Sequence, residues 1–256
     1  LDANTTGDFH VAIGSSALGA NTTANQNTAV GYEALALNTT ASENAAFGYH
    51  TLKNNTTGEY NTGLGRAALF NNTTGIKNTA VGYNSLVSNT TGTQNAALGS
   101  EALFANTTGN HNSALGFHAL KNNTGANNTA LGRAALFNNT TANNNTSVGY
   151  NSLLSNTTGT QNVAVGANAL DGNTTGGNNI GIGYNSLSAN TDASNNIGIG
   201  FNSLVFNTTG ETNVAIGSNA LRENTTADNN TALGNDALRA NTTGSNSTAV
   251  GSDALL

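Results

Sequence analysis

One repeating unit of this chain reads Asn78-Thr79-Ala80-Val81-Gly82-Tyr83-Asn84-Ser85-Leu86-Val87-Ser88-Asn89-Thr90-Thr91-Gly92-Thr93-Gln94. We number its 17 positions from Asn78, so that the glycine after the apolar residue occupies position 5. Fifteen copies of this glycine run from Gly14 to Gly251, spaced by 17 residues except for one step of 16. Such a fixed period indicates a repeat architecture, in which each unit packs mainly against its neighbours.

The pattern inside the unit favours β-structure over helix. Gly at position 5 and Asn-Thr-Thr-Gly at positions 12–15 leave too few residues for a helical repeat, which needs a unit of about 33 residues or more. Positions 1–5 alternate with period two, as in a strand with positions 2 and 4 on one face and 1, 3 and 5 on the other. We predict a second extended segment at positions 7–9 and a turn at Asn-Thr-Thr-Gly. The predicted fold is all-β, a parallel β-solenoid or β-roll of about fifteen 17-residue coils.

Positions that barely vary between copies predict the interior. Position 9 is Leu in all sixteen occurrences and position 4 is always apolar, so we expect both to face the core. Asn dominates position 1 and fills position 12, which predicts ladders of stacked Asn side chains. We expect the small residues at positions 3, 5 and 8 to let chains or strands approach closely. The variable positions 6, 7, 10 and 11 are predicted to form the outer surface.

Composition and charge exclude several classes of protein. The absence of Cys rules out disulfides and Cys-based metal sites. Seven Lys and Arg in a chain of net charge −6 form no basic stripe for nucleic acid. No apolar run approaches the ~18 residues of a membrane helix, so no membrane insertion is expected in this segment. The four His are scattered and no Ser-His-Asp set or carboxylate pair recurs, so we expect no metal, no cofactor and no enzyme activity.

The thin predicted core and the chain ends point to assembly. Two large apolar residues per coil, at ~25 cal/mol per Å², offset the ordering entropy only marginally, so we expect lateral association into a homo-oligomer. The sequence begins part-way through a unit at Leu1 and stops at Leu256 without a polar capping unit. We therefore expect residues 1–256 to be a single uncapped array, a segment of a longer fibre or of an end-to-end filament.

Two known kinds of repeat resemble these units. The head repeats of trimeric autotransporter adhesins are similar to His10-Val11-Ala12-Ile13-Gly14-Ser15-Ser16-Ala17 and to Asn213-Val214-Ala215-Ile216-Gly217-Ser218-Asn219-Ala220. Runs such as 78–86 followed by Asn89-Thr90-Thr91-Gly92 also look like repeats of bacterial and phage tail-fibre-like proteins. The adhesin unit is usually shorter and lacks the Asn-Thr-Thr-Gly turn. The resemblance implies a left-handed roll in a trimer, located outside the cell, on its surface or on a virion fibre.

The Asn at position 12 offers two interpretations. Asn-Thr-Thr is an acceptor sequence for N-linked glycans, and it is also good turn chemistry. A line of glycans would explain how a chain with 8% charged residues stays in solution. The candidate glycosylation sites are Asn4, Asn21, Asn38, Asn55, Asn72, Asn89, Asn106, Asn139, Asn156, Asn173, Asn207, Asn224 and Asn241.

Aromatic residues recur at position 6, on the predicted outer surface. They are candidates either for binding a carbohydrate or a partner, or for packing between protomers or over the strand edge. The residues are Tyr32, Tyr49, Tyr83, Phe117, Tyr150, Tyr184 and Phe201.

These observations predict a structural protein. The first hypothesis is a segment of an extracellular fibre or filament that mediates attachment or forms a stiff surface appendage, with copies of itself as its main partner and a host surface or carbohydrate as its target. The alternative is an ice-binding β-solenoid that uses the stacked Thr of positions 13 and 14. Thermal hysteresis in solution separates the two.

Overall fold

A computed structural model describes all 256 residues, which fall into two compact units, Leu1–Asn127 and Asn128–Leu256. Every strand has three residues and covers positions 2–4 of its repeat, and no helix long and apolar enough to cross a membrane occurs. The strands of the first unit are β1 (Val11–Ile13), β2 (Thr28–Val30), β3 (Ala45–Phe47), β4 (Thr62–Leu64), β5 (Thr79–Val81), β6 (Ala96–Leu98) and β7 (Ser113–Leu115). Those of the second unit are β8 (Thr129–Leu131), β9 (Thr146–Val148), β10 (Val163–Val165), β11 (Ile180–Ile182), β12 (Ile197–Ile199), β13 (Val214–Ile216), β14 (Thr231–Leu233) and β15 (Thr248–Val250).

Within each unit every strand pairs in parallel with the next strand along the chain. The register joins identical positions, as in the pairing of Val11 with Thr28 in the first unit and of Ile180 with Ile197 in the second. Backbone bonds between coils continue beyond the strands, for example from Leu35 N to Thr51 O at 3.1 Å. Each unit is therefore a parallel β-solenoid with one 17-residue repeat per coil, which confirms the predicted fold class.

The predicted second extended segment at positions 7–9 is wrong. Positions 6–11 form turns, and positions 7 and 9 adopt left-handed backbone angles, as at Glu33 (φ 53°) and Leu35 (φ 51°). Turn bonds such as Asn38 N to Leu35 O at 3.2 Å close this segment. A left-handed angle costs a non-glycine residue on the order of 1–2 kcal/mol. Burial of the Leu side chain and the bonds between coils offset that cost.

The core consists of one large and several small side chains per coil. The Leu at position 9 is fully buried in thirteen coils, for example at Leu35. Small residues at positions 3 and 8, such as Ala29 and Ala34, pack around it and are also buried. The space opposite the Leu is narrow, because a Cβ built on Gly181 at position 3 would lie 3.1 Å from Cγ of Leu170. The interior therefore accepts at most a small side chain at position 3.

The prediction that position 4 faces the core is wrong. Eleven of the fifteen position-4 side chains expose more than a third of their surface, as Leu64 (48%) and Leu131 (42%) show. The alternation along the strand is as predicted, but position 3 points inward and positions 2 and 4 point outward. The narrow interior explains the inversion, because it has no room for Val, Leu, Ile or Phe beside the Leu at position 9.

Truncating the buried Leu should cost far more than truncating the apolar residue next to it. Leu153 is fully buried, whereas Leu154 is only half-buried at position 10. We expect Leu153→Ala to lower the free energy of unfolding by about 3 kcal/mol, because it leaves a cavity, and Leu154→Ala to lower it by about 1 kcal/mol. Urea unfolding followed by circular dichroism measures both. Equal losses would contradict the assignment of position 9 as the core.

Candidate functional site

The outward side chains of positions 2 and 4 form one surface on each unit, which we call the sheet face. None of these side chains is charged in any coil, and position 4 is apolar in all of them. In the second unit the face carries Ile180 and Ile182 on one strand and Val214 and Ile216 on another, with Ile182 and Ile216 each 36% exposed. The residues of neighbouring strands lie about 4.8 Å apart, so the apolar rows are continuous within a unit.

The sheet face of each unit reaches the size of the largest apolar patch on a typical monomer. The position-4 rows of each unit expose roughly several hundred Å² of apolar surface, the range in which such patches mark interaction sites. The face of the first unit ends in exposed Val11 and Ile13, and that of the second in Val250, which is 67% exposed. The sequence signal for this arrangement is the restriction of position 3 to Ala, Gly and Ser, which marks the inward row and leaves positions 2 and 4 outside.

Two pairs of position-6 aromatic residues stack between neighbouring coils, one pair in each unit. The Tyr32 and Tyr49 rings lie 5.4 Å apart at 14°, and Tyr184 and Phe201 lie 5.7 Å apart at 12°. We call the position-6 side chains of each unit the position-6 ladder. Because stacked rings cover each other's faces, they present mainly their edges to solvent. Stacking on a sugar uses ring faces, so this arrangement favours packing between coils over a continuous carbohydrate stripe.

Asn side chains form two buried ladders, as predicted. At position 12, Nδ2 of Asn72 donates to Oδ1 of Asn55 at 2.8 Å and to the Gly75 carbonyl at 2.9 Å. At position 1, Nδ2 of Asn78 donates to the Gly92 carbonyl at 2.8 Å, and its Oδ1 accepts the Asn95 N–H at 3.0 Å. These bonds join each coil to its neighbours and close the Asn-Thr-Thr-Gly turn from inside.

The candidate glycosylation sites belong to the Asn ladder at position 12. Eleven of the thirteen are fully buried, and only Asn4 and Asn241, near the two chain ends, are partly exposed. Nδ2, the atom that would carry a glycan, already donates to Gly7 O at 2.9 Å in Asn4 and to Gly244 O at 2.8 Å in Asn241. A glycan on a buried member of the set would require its coil to open. This arrangement favours the interpretation of Asn-Thr-Thr as turn chemistry.

The Thr hydroxyls of position 13 also serve the backbone. Oγ1 of Thr22 donates to Thr39 O at 3.1 Å, and Oγ1 of Thr56 donates to Thr73 O at 3.1 Å. Each such hydroxyl has therefore given its only hydrogen to the next coil. The Thr of position 14 is exposed in most coils, for example Thr40. Positions 13 and 14 thus differ in character and do not form one uniform hydroxyl plane.

Charged groups occur as small surface clusters. Glu33 contacts Nε2 of His50 at 3.0 Å and Nζ of Lys53 at 2.5 Å, and Glu101 meets His118 and Lys121 in the same way. The hydrogen bond from Lys53 holds the pKa of the Glu33 carboxyl below its usual value. No group of three or more His, Asp or Glu side chains is placed to hold a metal ion.

Comparisons with models of protein families and with curated proteins find no match to this chain. The candidate site therefore rests on the geometry of the two units. Its strongest features are the uncharged sheet face and the position-6 ladder.

Proposed function

We propose that this chain is a segment of an extracellular structural fibre whose copies associate laterally through their sheet faces. The observation that carries the proposal is the row of exposed apolar side chains at position 4, such as Leu64 in the first unit and Leu233 in the second. A charged side chain at positions 2 or 4 would oppose such contact, and none occurs. The resemblance to adhesin head repeats and tail-fibre-like repeats agrees with this use.

Lateral association would supply stability that the thin core does not. A stable interface covers about 800 Å² on each partner, which one sheet face with the side chains at its margins can approach. At roughly 25 cal/mol per Å², burial of several hundred Å² yields on the order of 10 kcal/mol before the cost of association. The flat, repetitive face suits a copy of the same chain, since equal spacing lets the rows of two faces interlock in register.

The proposed mechanical role is supported by the bonding between coils. Strand pairing, the Asn ladders and the Thr bonds join each coil to the next through many hydrogen bonds, which favours a stiff element with few sites for proteases. The variable outer positions then serve as the surface that meets a target at a cell or virion surface.

An ice-binding function is the second candidate, and the exposed Thr of position 2 would suit it better than the Thr of positions 13 and 14. Position 2 places Thr on the exposed, regular sheet face in several coils, including Thr62 and Thr79. Ala45 and Ala96 interrupt the row in the first unit, and side chains at position 4 vary from Val81 to Leu64. This unevenness favours the fibre, because an ice plane needs a uniform lattice. Thermal hysteresis of the purified chain at millimolar concentration would support the second candidate instead.

Charges on the sheet face should dissociate the assembly. We expect the unmodified chain to be a homo-oligomer, a trimer if the adhesin resemblance holds, and the variant Ile182→Lys with Ile216→Lys to be a monomer with the same circular dichroism spectrum. Thr175→Lys adds one charge at an exposed position outside the face and should leave the oligomer intact. Multi-angle light scattering measures the mass of each. An unmodified chain that stays monomeric at every accessible concentration would overturn the proposal.

A further inference from the structure

The position-6 ladder contains a guanidinium held between two rings. In the first unit Cζ of Arg66 lies 5.8 Å from the centroid of the Tyr49 ring and 5.3 Å from that of Tyr83. These two Tyr belong to coils on either side of the coil that carries Arg66. Both distances fall within the ~6 Å range of cation–π attraction. Two aromatic residues two coils apart therefore form a slot that fits one guanidinium group.

The second unit has a slot of the same kind with no side chain of its own to fill it. Tyr150 and Tyr184 occupy position 6 two coils apart, and the residue between them is Ala167. Arg133 lies over the Tyr150 ring at 5.4 Å from the neighbouring coil on one side, and Phe201 stacks on Tyr184 from the other side. No position-6 neighbour of Tyr150 or Tyr184 therefore covers the ring faces that look towards Ala167.

Strand spacing predicts the same separation for this slot as for the filled one. Two strand separations set the rings about 9.6 Å apart, and an occupant midway lies about 5 Å from each. Tyr150 and Tyr184 are each 50% exposed and Ala167 is half-buried, so the slot opens to solvent over a small floor. Asn168 and Asn185 occupy position 7 beside the slot, and Nδ2 of Asn168 donates to Oδ1 of Asn185 at 3.2 Å.

We propose that the slot formed by Tyr150, Ala167 and Tyr184 binds a guanidinium group, the side chain of an arginine on a partner protein. The chain itself uses Arg for the equivalent place at Arg66, which favours guanidinium over a sugar or a neutral ring. A guanidinium is planar and weakly hydrated, so it stacks between two rings better than an ammonium does. The second unit also has seven carboxylate and three Arg side chains, a net charge of −4 that attracts a cation.

The guanidinium slot is independent of the proposed fibre assembly. Position 6 lies outside the sheet face, so the slot is present in a single chain and in an assembly that uses positions 2 and 4. A monomeric chain that binds the cation would contradict the proposed function and leave this proposal standing.

Fluorine NMR of the chain labelled with 3-fluorotyrosine tests the slot directly. The chain has six Tyr, and Tyr→Phe variants assign their resonances. The probe is N-acetyl-L-arginine N-methylamide, and the matching citrulline derivative is its neutral control. We expect the arginine probe to shift the signals of Tyr150 and Tyr184 with half-saturation in the millimolar range, and the citrulline derivative to shift neither. Tyr60, which lies away from position 6, is the internal reference.

Two variants, one that fills the slot and one that empties its counterpart, distinguish binding in the slot from nonspecific binding of the probe to exposed Tyr rings. Ala167→Arg fills the slot with an arginine side chain, as Arg66 fills the slot of the first unit. It should reduce the probe-induced shifts of the Tyr150 and Tyr184 signals roughly tenfold or more. Arg66→Ala opens the slot in the first unit. The fluorine signal of Tyr49 should then shift on addition of the arginine probe, whereas in the unmodified chain it should not. Unchanged shifts in Ala167→Arg, or equal shifts with citrulline, would overturn the proposal.

Discussion

Gly31→Ala is expected to lower the free energy of unfolding of the first unit by about 4 kcal/mol or more, or to prevent the local coils from forming. Gly31 has φ 139°, a backbone conformation that L side chains rarely adopt. A Cβ at this position would lie 2.3 Å from the carbonyl oxygen and 2.6 Å from the carbonyl carbon of Gly48 in the next coil. Both atoms belong to the backbone, so relief requires the coils to separate.

Gly19→Ala is the matched control for Gly31→Ala. A Cβ on Gly19 would meet its nearest neighbour, Ser16 O, at 3.4 Å, and Gly19 has no left-handed angle. We expect this variant to be neutral or slightly stabilising, because Ala lowers the entropy of the unfolded chain. Urea unfolding by circular dichroism gives the overall change, and amide hydrogen exchange in β2 and β3 locates it. Equal midpoints for the two variants would show that position 5 tolerates a side chain.

The sequence predicts the elements that depend on repetition. In-register stacking follows from a fixed 17-residue period, since equal units repeat equal contacts. The Asn ladders were predictable for the same reason, because a buried amide stacked on its own copies finds both a donor and an acceptor there. Asn55 and Asn72 show this, each within hydrogen-bonding distance of the copy in the next coil.

The choice of the inner face was not predictable from apolarity alone. Alternation fixes which positions share a face, but which face turns inward depends on the width of the coil. That width is set by turns in which Leu52 and its equivalents take left-handed angles, a conformation that Leu rarely adopts. With these turns the interior holds Leu at position 9 and only Ala, Gly or Ser at position 3. Larger apolar residues such as Phe47 are left outside, where they form the candidate interaction surface.

Asn156→Ala is expected to lower the free energy of unfolding of the second unit by about 4 kcal/mol. Nδ2 of Asn156 donates to Asn139 Oδ1 at 2.8 Å and to Gly159 O at 2.9 Å, and its Oδ1 accepts from Asn173 Nδ2 at 2.9 Å. The side chain is fully buried, so the substitution removes three hydrogen bonds at a site that water does not reach. Each buried polar group that loses a partner costs about 1–3 kcal/mol. Urea unfolding measures the change.

The control for Asn156→Ala is the same substitution on the surface. Asn235 is exposed at position 6, where another coil carries Ala167, and its Nδ2 donates to Oδ2 of the adjacent Asp236 at 2.5 Å. Asn235→Ala should change stability by less than about 0.5 kcal/mol. Comparable losses for the two variants would mean that the ladder contributes little.

Asn156→Asp separates the hydrogen bonds from the packing, because Asp has nearly the same shape as Asn. At neutral pH its carboxylate would place an oxygen against Asn139 Oδ1 and Gly159 O, two acceptors to which it cannot donate a hydrogen bond. We therefore expect a larger loss of unfolding free energy than for Asn156→Ala. Burial beside acceptors raises the folded pKa of this Asp above its unfolded value of about 3.9. The free energy of unfolding of the variant should therefore be closest to that of the unmodified chain at low pH, where the protonated Asp donates one hydrogen bond. It should decrease relative to the unmodified chain as pH rises through the folded pKa. If the difference in free energy of unfolding between the two chains does not depend on pH, packing and not hydrogen bonding determines which side chain position 12 accepts. The Asn ladder would then form because the coils stack, without stabilising the stack.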